Sequence, residues 1–325
     1  MAGIEYAVLG AGALGSIVAA HLARAGHNVV VLARGARAAL IGREGIRIQG
    51  LVDFTVPVVV VTDPGTLSSA QTLIVATKAI ATAASLEPLR GVRIAAALSL
   101  QNGVLKDELL AGAFGAERVL GGVANFSGEL LPSGAVTFTR NINLLVGEPD
   151  GARSERVQRV VRDLDGAGIR ASASDHIRSQ EWSKLAAWIG LVALATTVRR
   201  ATWQYLCDPG AALVLVRLVR EMGRLASAYD VELADDAMFP VGRIVRSTDA
   251  EAVAIVLAIG NDMHRIAPLH RVSTLQDLEA GRRLEVEETI GHVVQLADRR
   301  RLELPLLDTF YRLVTAMDLA QASSG

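Results

Sequence analysis

An α/β first half followed by an all-helical second half is the fold class that the sequence predicts, on three observations. Short apolar strand candidates alternate with helical stretches up to about residue 174, the connections between them are tight, and no strand pattern recurs beyond that point. Alternation of this kind argues for a doubly wound parallel sheet covered on both faces. The expected division is a first domain over residues 1–174 and a helical domain over residues 175–325.

Residues 4–9 form the first strand candidate. A glycine turn follows, then a helix over about 13–25 that Gly26 and His27 end, and a second buried strand at 29–32. This is a βαβ opening. Further strands are expected at 45–49, 55–62, 73–76 and 93–98, with helical stretches between the later ones, including one at 106–113. The segment 119–148 changes character. Its alternating runs Ala135-Val-Thr-Phe-Thr and Ile142-Asn-Leu-Leu-Val, with turn residues at Pro132-Ser133-Gly134, predict an antiparallel extension of the sheet. A helix over 154–167 and a strand over 169–173 close the first domain. In the second, the apolar run 185–198 is 14 residues long, too short to cross a bilayer, and reads as a buried helix. Asp208-Pro209-Gly210, Pro268 and Pro305 mark breaks between later helices.

The net charge of −1 spread over 325 residues gives no basic surface for phosphate, so nucleic acid is not an expected partner. Neither is a membrane, and residues 1–10 lack the basic-then-apolar pattern of a signal peptide. One cysteine, Cys207, excludes an internal disulfide framework, and the chain reads as cytoplasmic. The six histidines show no i, i+4 pair and join no acidic cluster, so no metal is expected. Only three of the 33 basic residues are lysine: Lys78, Lys106 and Lys184. Lysine can release its proton where arginine cannot, so each lysine in an arginine-rich chain is a candidate for chemistry.

Gly10-Ala-Gly12-Ala13-Leu14-Gly15 lies where a dinucleotide-binding turn must, after a strand and opening a helix. Gly10 permits the tight turn, Gly12 lets backbone approach a pyrophosphate, and Gly15 lets helix and strand pack closely, while Ala13 and Leu14 begin the helix whose N–H groups face the phosphates. The first domain is therefore expected to be of the Rossmann type. At the end of the second strand, where NAD-binding proteins carry an acid for the ribose 2′-hydroxyl, stands Arg34. A guanidinium suits a 2′-phosphate, so NADP(H) is the expected cofactor. The alternative is that Arg34 and Arg37 are ordinary surface charges.

Asn102, in Gln101-Asn102-Gly103, follows a strand end and is placed for the nicotinamide ribose; an Asn-Gly turn is the competing reading. Lys78 has the same placement. Lys184 opens the apolar helix of the second domain, where it either snorkels to solvent or sits in a pocket as a proton donor. Ser273 and Glu285 read alone as a helix start and a solvated face.

Together these stretches resemble the ketopantoate reductase (2-dehydropantoate 2-reductase) family. The matching segments are Val8-Leu-Gly-Ala-Gly-Ala-Leu-Gly15, Leu32-Ala-Arg34, Thr77-Lys78-Ala79, Gln101-Asn102-Gly103, Trp182-Ser-Lys184-Leu, and Ser273-Thr-Leu-Gln-Asp277-Leu-Glu-Ala-Gly281-Arg282 followed by Glu285-Val-Glu287. The resemblance covers nearly the whole chain. It implies an NADPH-dependent 2-keto acid reductase with a Rossmann domain, an all-helical C-terminal domain and a homodimer built through the helices. It also implies Lys184 as general acid, Glu285 as the carboxylate that bonds the substrate hydroxyl and helps position the lysine, Asn102 near the nicotinamide ribose, Lys78 on the cofactor side and Ser273 on the substrate. The small-molecule carbonyl substrate would receive a hydride at carbon and a proton at oxygen.

This sequence departs from the family pattern at three amides. The family helix carries asparagine four and eight residues after its lysine, where this chain has Trp188 and Val192, and a later family asparagine is Ile290. Positions i, i+4 and i+8 share a helix face, so Trp188 and Val192 are expected to line the substrate pocket and to favour a bulkier, more apolar ketone or 2-keto acid. Trp188 merely packing the core is the plainer reading. A dehydrogenase or imine reductase on the same scaffold, and a non-catalytic NADP(H)-binding sensor, are the competing functions; the Lys184–Glu285 pair weighs against the sensor.

Overall fold

Strand β1 (Tyr6–Leu9) is flanked by parallel neighbours on both sides, with Leu9 in register with Leu32 of β2 (Val29–Leu32) on one side and Val75 of β6 (Ser69–Val75) on the other. The computed structural model describes residues 3–322. The chain divides into two compact units, Met1–Arg178 and Ser179–Gly325.

In the first unit the remaining elements are α1 (Ala13–Arg24), α2 (Gly35–Glu44), β3 (Ile46–Gly50), β4 (Phe54–Val56), β5 (Val59–Val61), α3 (Thr82–Leu86), β7 (Arg93–Ser99), α4 (Leu105–Phe114), β8 (Val119–Leu130), β9 (Val136–Gly147), α5 (Glu155–Gly166) and β10 (Ala171–Ala173). Among the described residues they form a ten-stranded sheet of order β4-β3-β9-β8-β7-β6-β1-β2-β5, with β10 beside β9. The run β5-β2-β1-β6-β7-β8 is parallel throughout, and its strand order reverses between β1 and β6. That reversal is the topological switch point where nucleotides bind in open α/β sheets. The antiparallel extension expected from the alternating runs is the long pair β8–β9, while β3 joins β9 in parallel.

One strand expected over 55–62 is instead two, β4 and β5, which stand at opposite ends of the strand order. Pro57 divides them, because proline has no N–H to give a ladder. Helix α2 adds an element that the strand–helix reading did not specify.

Helix α1 is buried on all sides from Gly15 to Leu22 and lies against β1, β2, β3, β4, β8 and β9. Its run Gly15-Ser-Ile-Val-Ala-Ala is apolar all round save for Ser16, whose buried hydroxyl bonds the carbonyl of Ala11, as a fully enclosed helix requires. His21 on α1 sits edge-on to the rings of Phe54 and Phe138, at 5.2 and 5.5 Å between centroids, with its Nδ1 2.8 Å from the carbonyl of Ala167. A carbonyl can only accept, so Nδ1 carries the proton and the buried Nε2 has no hydrogen-bond partner. Ser154 caps α5, accepting from the amide of Val157 at 3.2 Å. Its hydroxyl also donates at 2.5 Å to the buried carboxylate of Glu148, which takes a two-pronged bond from Arg156 (2.7 and 2.5 Å).

The second unit is helical: α6 (Ile177–Val198, which begins two residues earlier), α7 (Thr202–Leu206), α8 (Pro209–Ala228), α9 (Val241–Arg246), α10 (Asp249–Ile266), α11 (Ser273–Glu279), a π-helical turn at Glu287–Gly291, α12 (His292–Arg299) and α13 (Pro305–Ala322). Asp208 caps α8 with its side chain on the amide of Ala211 at 2.8 Å. Gly190 lets α6 approach α8, since a Cβ there would lie 3.0 Å from Cγ of Leu215. Buried Glu221 of α8 accepts from the amides of Leu306 and Leu307, at 3.1 and 2.8 Å, satisfying the first turn of α13. Among the described residues no helix is long and apolar enough to cross a membrane.

Candidate active site

The three glycines of the β1–α1 turn answer three different constraints. Gly10 has φ +103, and a Cβ there would meet the backbone of Thr77 and Ala76 at 2.8–2.9 Å, just beyond the end of β6. Gly15 cannot be replaced either, for its Cβ would fall 1.9 Å from the carbonyl oxygen of Gly10. Gly12 is different: a Cβ would meet nothing within 4 Å. Neither conformation nor packing demands glycine at Gly12, and the open space beside it is what close approach of a phosphate uses. Gly12 is also the N-cap of α1, contributes no side-chain cap, and is followed by a first turn (Ala13, Leu14) without acidic residues. The positive end of the helix is thus left for an anion.

Arg34 is the N-cap of α2, at the carboxyl end of β2, and is exposed. Arg37, three residues on, is no ordinary surface charge. Its Nε donates to the carbonyl of Ala11 at 3.0 Å, its Nη2 to Oγ of Ser16 at 2.9 Å, and its Nη1 to the carbonyl of Gly134 at 2.6 Å. Burial presses its guanidinium below its usual value. Sequence reading treated the two arginines alike, and packing separates them.

Lys78 is exposed and precedes a single 3-10 turn, Ala79–Ala81; its carbonyl accepts from Oγ1 of Thr82 at 3.2 Å. Asn102 is half-buried in the loop after β7. Gln101 ties the two loops together: its Nε2 donates to the carbonyl of Thr77 (2.7 Å), Oγ1 of Thr77 (3.2 Å) and Oγ1 of Thr82 (2.5 Å), and its Oε1 accepts from Oγ of Ser99 (3.0 Å). The ends of β6 and β7, on the far side of the switch point from Arg34, are therefore cross-linked by one side chain. The third lysine, Lys106, lies buried at the start of α4 with its Nζ 3.0 Å from Oδ1 of Asp107, a placement that lysine scarcity alone did not reveal.

In the helical unit, α6 is buried from Gln180 to Thr196 except at Lys184, Trp188 and Leu191. These three recur at helical spacing and make one half-buried stripe. Val192 is 1 % exposed, beside the stripe and within the core. Trp182 by contrast is buried and packs on Tyr229, ring centroids 5.7 Å apart. Leu191 is the stripe member that sequence reading did not name; the heptad-like step from Lys184 could have found it.

Glu285 is half-buried in the segment between α11 and the π-helical turn. The amide of Leu284 donates to Oδ1 of Asp318 at 2.7 Å, and the carbonyl of Glu285 accepts from Oγ1 of Thr289, so the backbone on both sides of this carboxylate is held. π-Helical turns occur disproportionately at functional positions. Ser273 is the first residue of α11 and is exposed; the N-cap is Val272, so the serine does not serve as the cap. The loop before it is pinned by α7: Thr202 N donates to the carbonyl of His270 at 2.9 Å and Nε1 of Trp203 to that of Pro268 at 3.1 Å. Among the described residues no group of three or more His, Cys, Asp or Glu gathers as a metal site.

Comparison with known proteins places this arrangement. The family model for ketopantoate reductase PanE/ApbA matches residues 6–151, and that for its C-terminal domain matches residues 176–318. A 2-dehydropantoate 2-reductase from Archaeoglobus fulgidus is 29% identical over 314 residues, covering 96% of this chain and 97% of that protein. Among solved structures, a PanE/ApbA family ketopantoate reductase from Ralstonia eutropha superposes with a TM-score of 0.82 at 24% identity, covering 98% of this chain and 99% of that one. A D-mandelate dehydrogenase solved with NADH and anilino(oxo)acetate gives 0.83 at 18% identity, with the same coverage. With both halves of the chain matched by its models, the chain belongs to the ketopantoate reductase family of oxidoreductases.

Proposed function

We propose that this chain is an NADPH-dependent reductase of a 2-keto acid or related ketone whose substituent is bulky and apolar. The nucleotide reading rests chiefly on the glycine turn: Gly10 and Gly15 are dictated by the fold, whereas Gly12 opens onto free space at the start of an uncapped helix. In this reading Gly12, Ala13 and Leu14 offer backbone N–H groups to the pyrophosphate, Arg34 takes the 2′-phosphate, and Lys78 and Asn102 flank the nicotinamide ribose. When bound, the nucleotide supplies the hydride.

The chain's own residues do the rest. Lys184 stabilises the charge that grows on the carbonyl oxygen and donates its proton there. Glu285 accepts a hydrogen bond from the substrate and orients the ammonium. Ser273 binds the substrate's polar end. Trp188 replaces an amide that a small hydroxylated substrate would use, leaving an apolar wall, while Val192, expected on the same wall, is buried in the core beside it. The half-buried state of Trp188, against the buried state of Trp182, supports that assignment. A homodimer through the helical unit is the assembly the family resemblance implies, and light scattering on the purified chain checks it.

The deciding experiment is spectrophotometric. Oxidation of NADPH and NADH is followed with ketopantoate, branched 2-keto acids and aryl 2-keto acids. Preference for NADPH with a higher kcat/KM on the aryl or branched acids is expected. Selective, efficient turnover of ketopantoate defeats the substrate assignment, and equal use of NADH defeats the role of Arg34.

A further inference from the structure

From the bonds around Ala11 we infer that Arg37 is a positioning residue that aims the backbone N–H of Gly12 at the cofactor's diphosphate. This rests on the nucleotide reading above. The carbonyl of Ala11 accepts two donors, Nε of Arg37 at 3.0 Å and Oγ of Ser16 at 3.1 Å. Two donors fill both lone pairs of a carbonyl. The peptide joining Ala11 to Gly12 is planar and trans, so its N–H points opposite to its C=O. Fixing the carbonyl towards Arg37 and Ser16 therefore fixes the Gly12 N–H away from them. Ser16 is itself held, since its fully buried hydroxyl accepts from Nη2 of Arg37 at 2.9 Å. One guanidinium thus grips both ends of the turn.

The third contact makes the grip rigid. Nη1 of Arg37 donates to the carbonyl of Gly134, at the tip of the β8–β9 hairpin, at 2.6 Å. Gly134 has φ +85, and a Cβ there would lie 2.1 Å from Cδ2 of Leu40 and 3.3 Å from Nη1 of Arg37. A side chain at position 134 would displace the tip of Leu40 and press on the guanidinium, on a backbone whose left-handed φ already favours glycine. A lysine at position 37 would keep the charge but could not make the forked contacts. Arg34 and Arg37 then divide the work: the first reads the 2′-phosphate, the second shapes the turn and is indifferent to that phosphate.

The test measures equilibrium binding of NADPH, NADH and adenosine 2′-monophosphate, which carries the 2′-phosphate and neither phosphate of the diphosphate bridge. Wild type is compared with Arg37→Gln, Arg37→Lys, Arg34→Ala and Gly134→Ala, each as the full chain with melting recorded. Loss of charged hydrogen bonds predicts that both Arg37 variants weaken NADPH and NADH by the same factor, about tenfold or more. Their affinity for adenosine 2′-monophosphate is expected to stay within twofold of wild type. Arg34→Ala is expected to show the reverse, losing NADPH and the 2′-monophosphate while keeping NADH. The inference is overturned if the Arg37 variants melt earlier yet bind both dinucleotides as wild type does, or if they lose NADPH and the 2′-monophosphate but keep NADH. Should both Arg37 variants fail to fold, Gly134→Ala decides: an equal loss of the two dinucleotides supports it, and unchanged affinity overturns it. Failure of wild type to bind any nicotinamide nucleotide would instead sink the nucleotide reading itself.

Discussion

The side-chain amide of Gln101 donates to the main-chain carbonyl of Thr77 at 2.7 Å and so joins the ends of two parallel strands. Because the same nitrogen reaches both threonine hydroxyls of the neighbouring loop, removing it leaves several polar groups in need of partners. Gln101→Ala should cost about 2 kcal/mol of stability and lower the melting temperature by roughly 5 °C. Since Lys78 and Asn102 sit on the loops it joins, kcat/KM with NADPH should fall about tenfold by the same loss. Calorimetry and steady-state kinetics check both; unchanged kinetics with a lowered melting temperature would confine Gln101 to the fold.

Lys184 is the residue on which the proposed proton transfer depends. Lys184→Ala is expected to lower kcat by about 10²- to 10⁴-fold, the usual worth of a general acid. NADPH affinity, measured by fluorescence titration, should stay within about twofold, because the proposed nucleotide contacts come from the first unit.

Trp188 carries the substrate assignment. Trp188→Asn puts an amide on the half-buried stripe of α6 in place of an indole. The ratio of kcat/KM for ketopantoate to that for an aryl 2-keto acid should rise by about tenfold or more, the size of effect that one polar contact and lost apolar area produce. A ratio unmoved by the substitution would return Trp188 to core packing.

Glu148 gives an acid limit to stability. Burial alone would raise its pKa, but the bonds from Arg156 and Ser154 outweigh burial and hold it below the ordinary carboxylate value. A depressed folded pKa means that stabilisation is complete above the unfolded value and is lost as pH falls through the folded one. Glu148→Gln should therefore destabilise the chain at neutral pH, by about 3 kcal/mol, and destabilise it less as the pH approaches 3. Chemical denaturation at several pH values measures the convergence.

His21 acts in the same direction at higher pH. Burial lowers its pKa below the ordinary 6.5, against the opposing bond to Ala167, so the folded state favours the neutral ring. The unfolded chain takes up that proton first, and stability should decline as pH drops below about 6.5 towards the folded value. His21→Gln, which keeps a donor for the Ala167 carbonyl, should flatten the fall in melting temperature between about pH 7 and pH 5.5 by removing this titration. An unchanged slope would assign the fall to other groups.

Much of this was legible in the chain. Gly10, Gly12 and Gly15 announced the turn because backbone constraints act locally, and the place of Arg34 at the end of β2 was readable from its distance along the chain. The helices of the second unit followed from apolar spacing and from Asp208-Pro209 and Pro305 at their starts. The bonds of Arg37 were not legible, because they run to Ala11, Ser16 and Gly134, the last 97 residues away. The burial of Lys106 depends likewise on packing that no local window contains, whereas Pro57 stood in the sequence as a local mark of the division between β4 and β5.

That division has a geometric consequence. Pro57 and Val58 alone connect β4 and β5, which end the strand order on opposite sides. Laid flat, eight steps of about 4.8 Å would set them nearly 40 Å apart, whereas three Cα–Cα steps reach about 11 Å. The strands must therefore roll into a scroll with α1 as its spindle, and the two-residue seam keeps it rolled. The glycine turn opens the helix that serves as spindle, so a loop inserted at the seam would loosen the wrap around that turn without altering any of its residues.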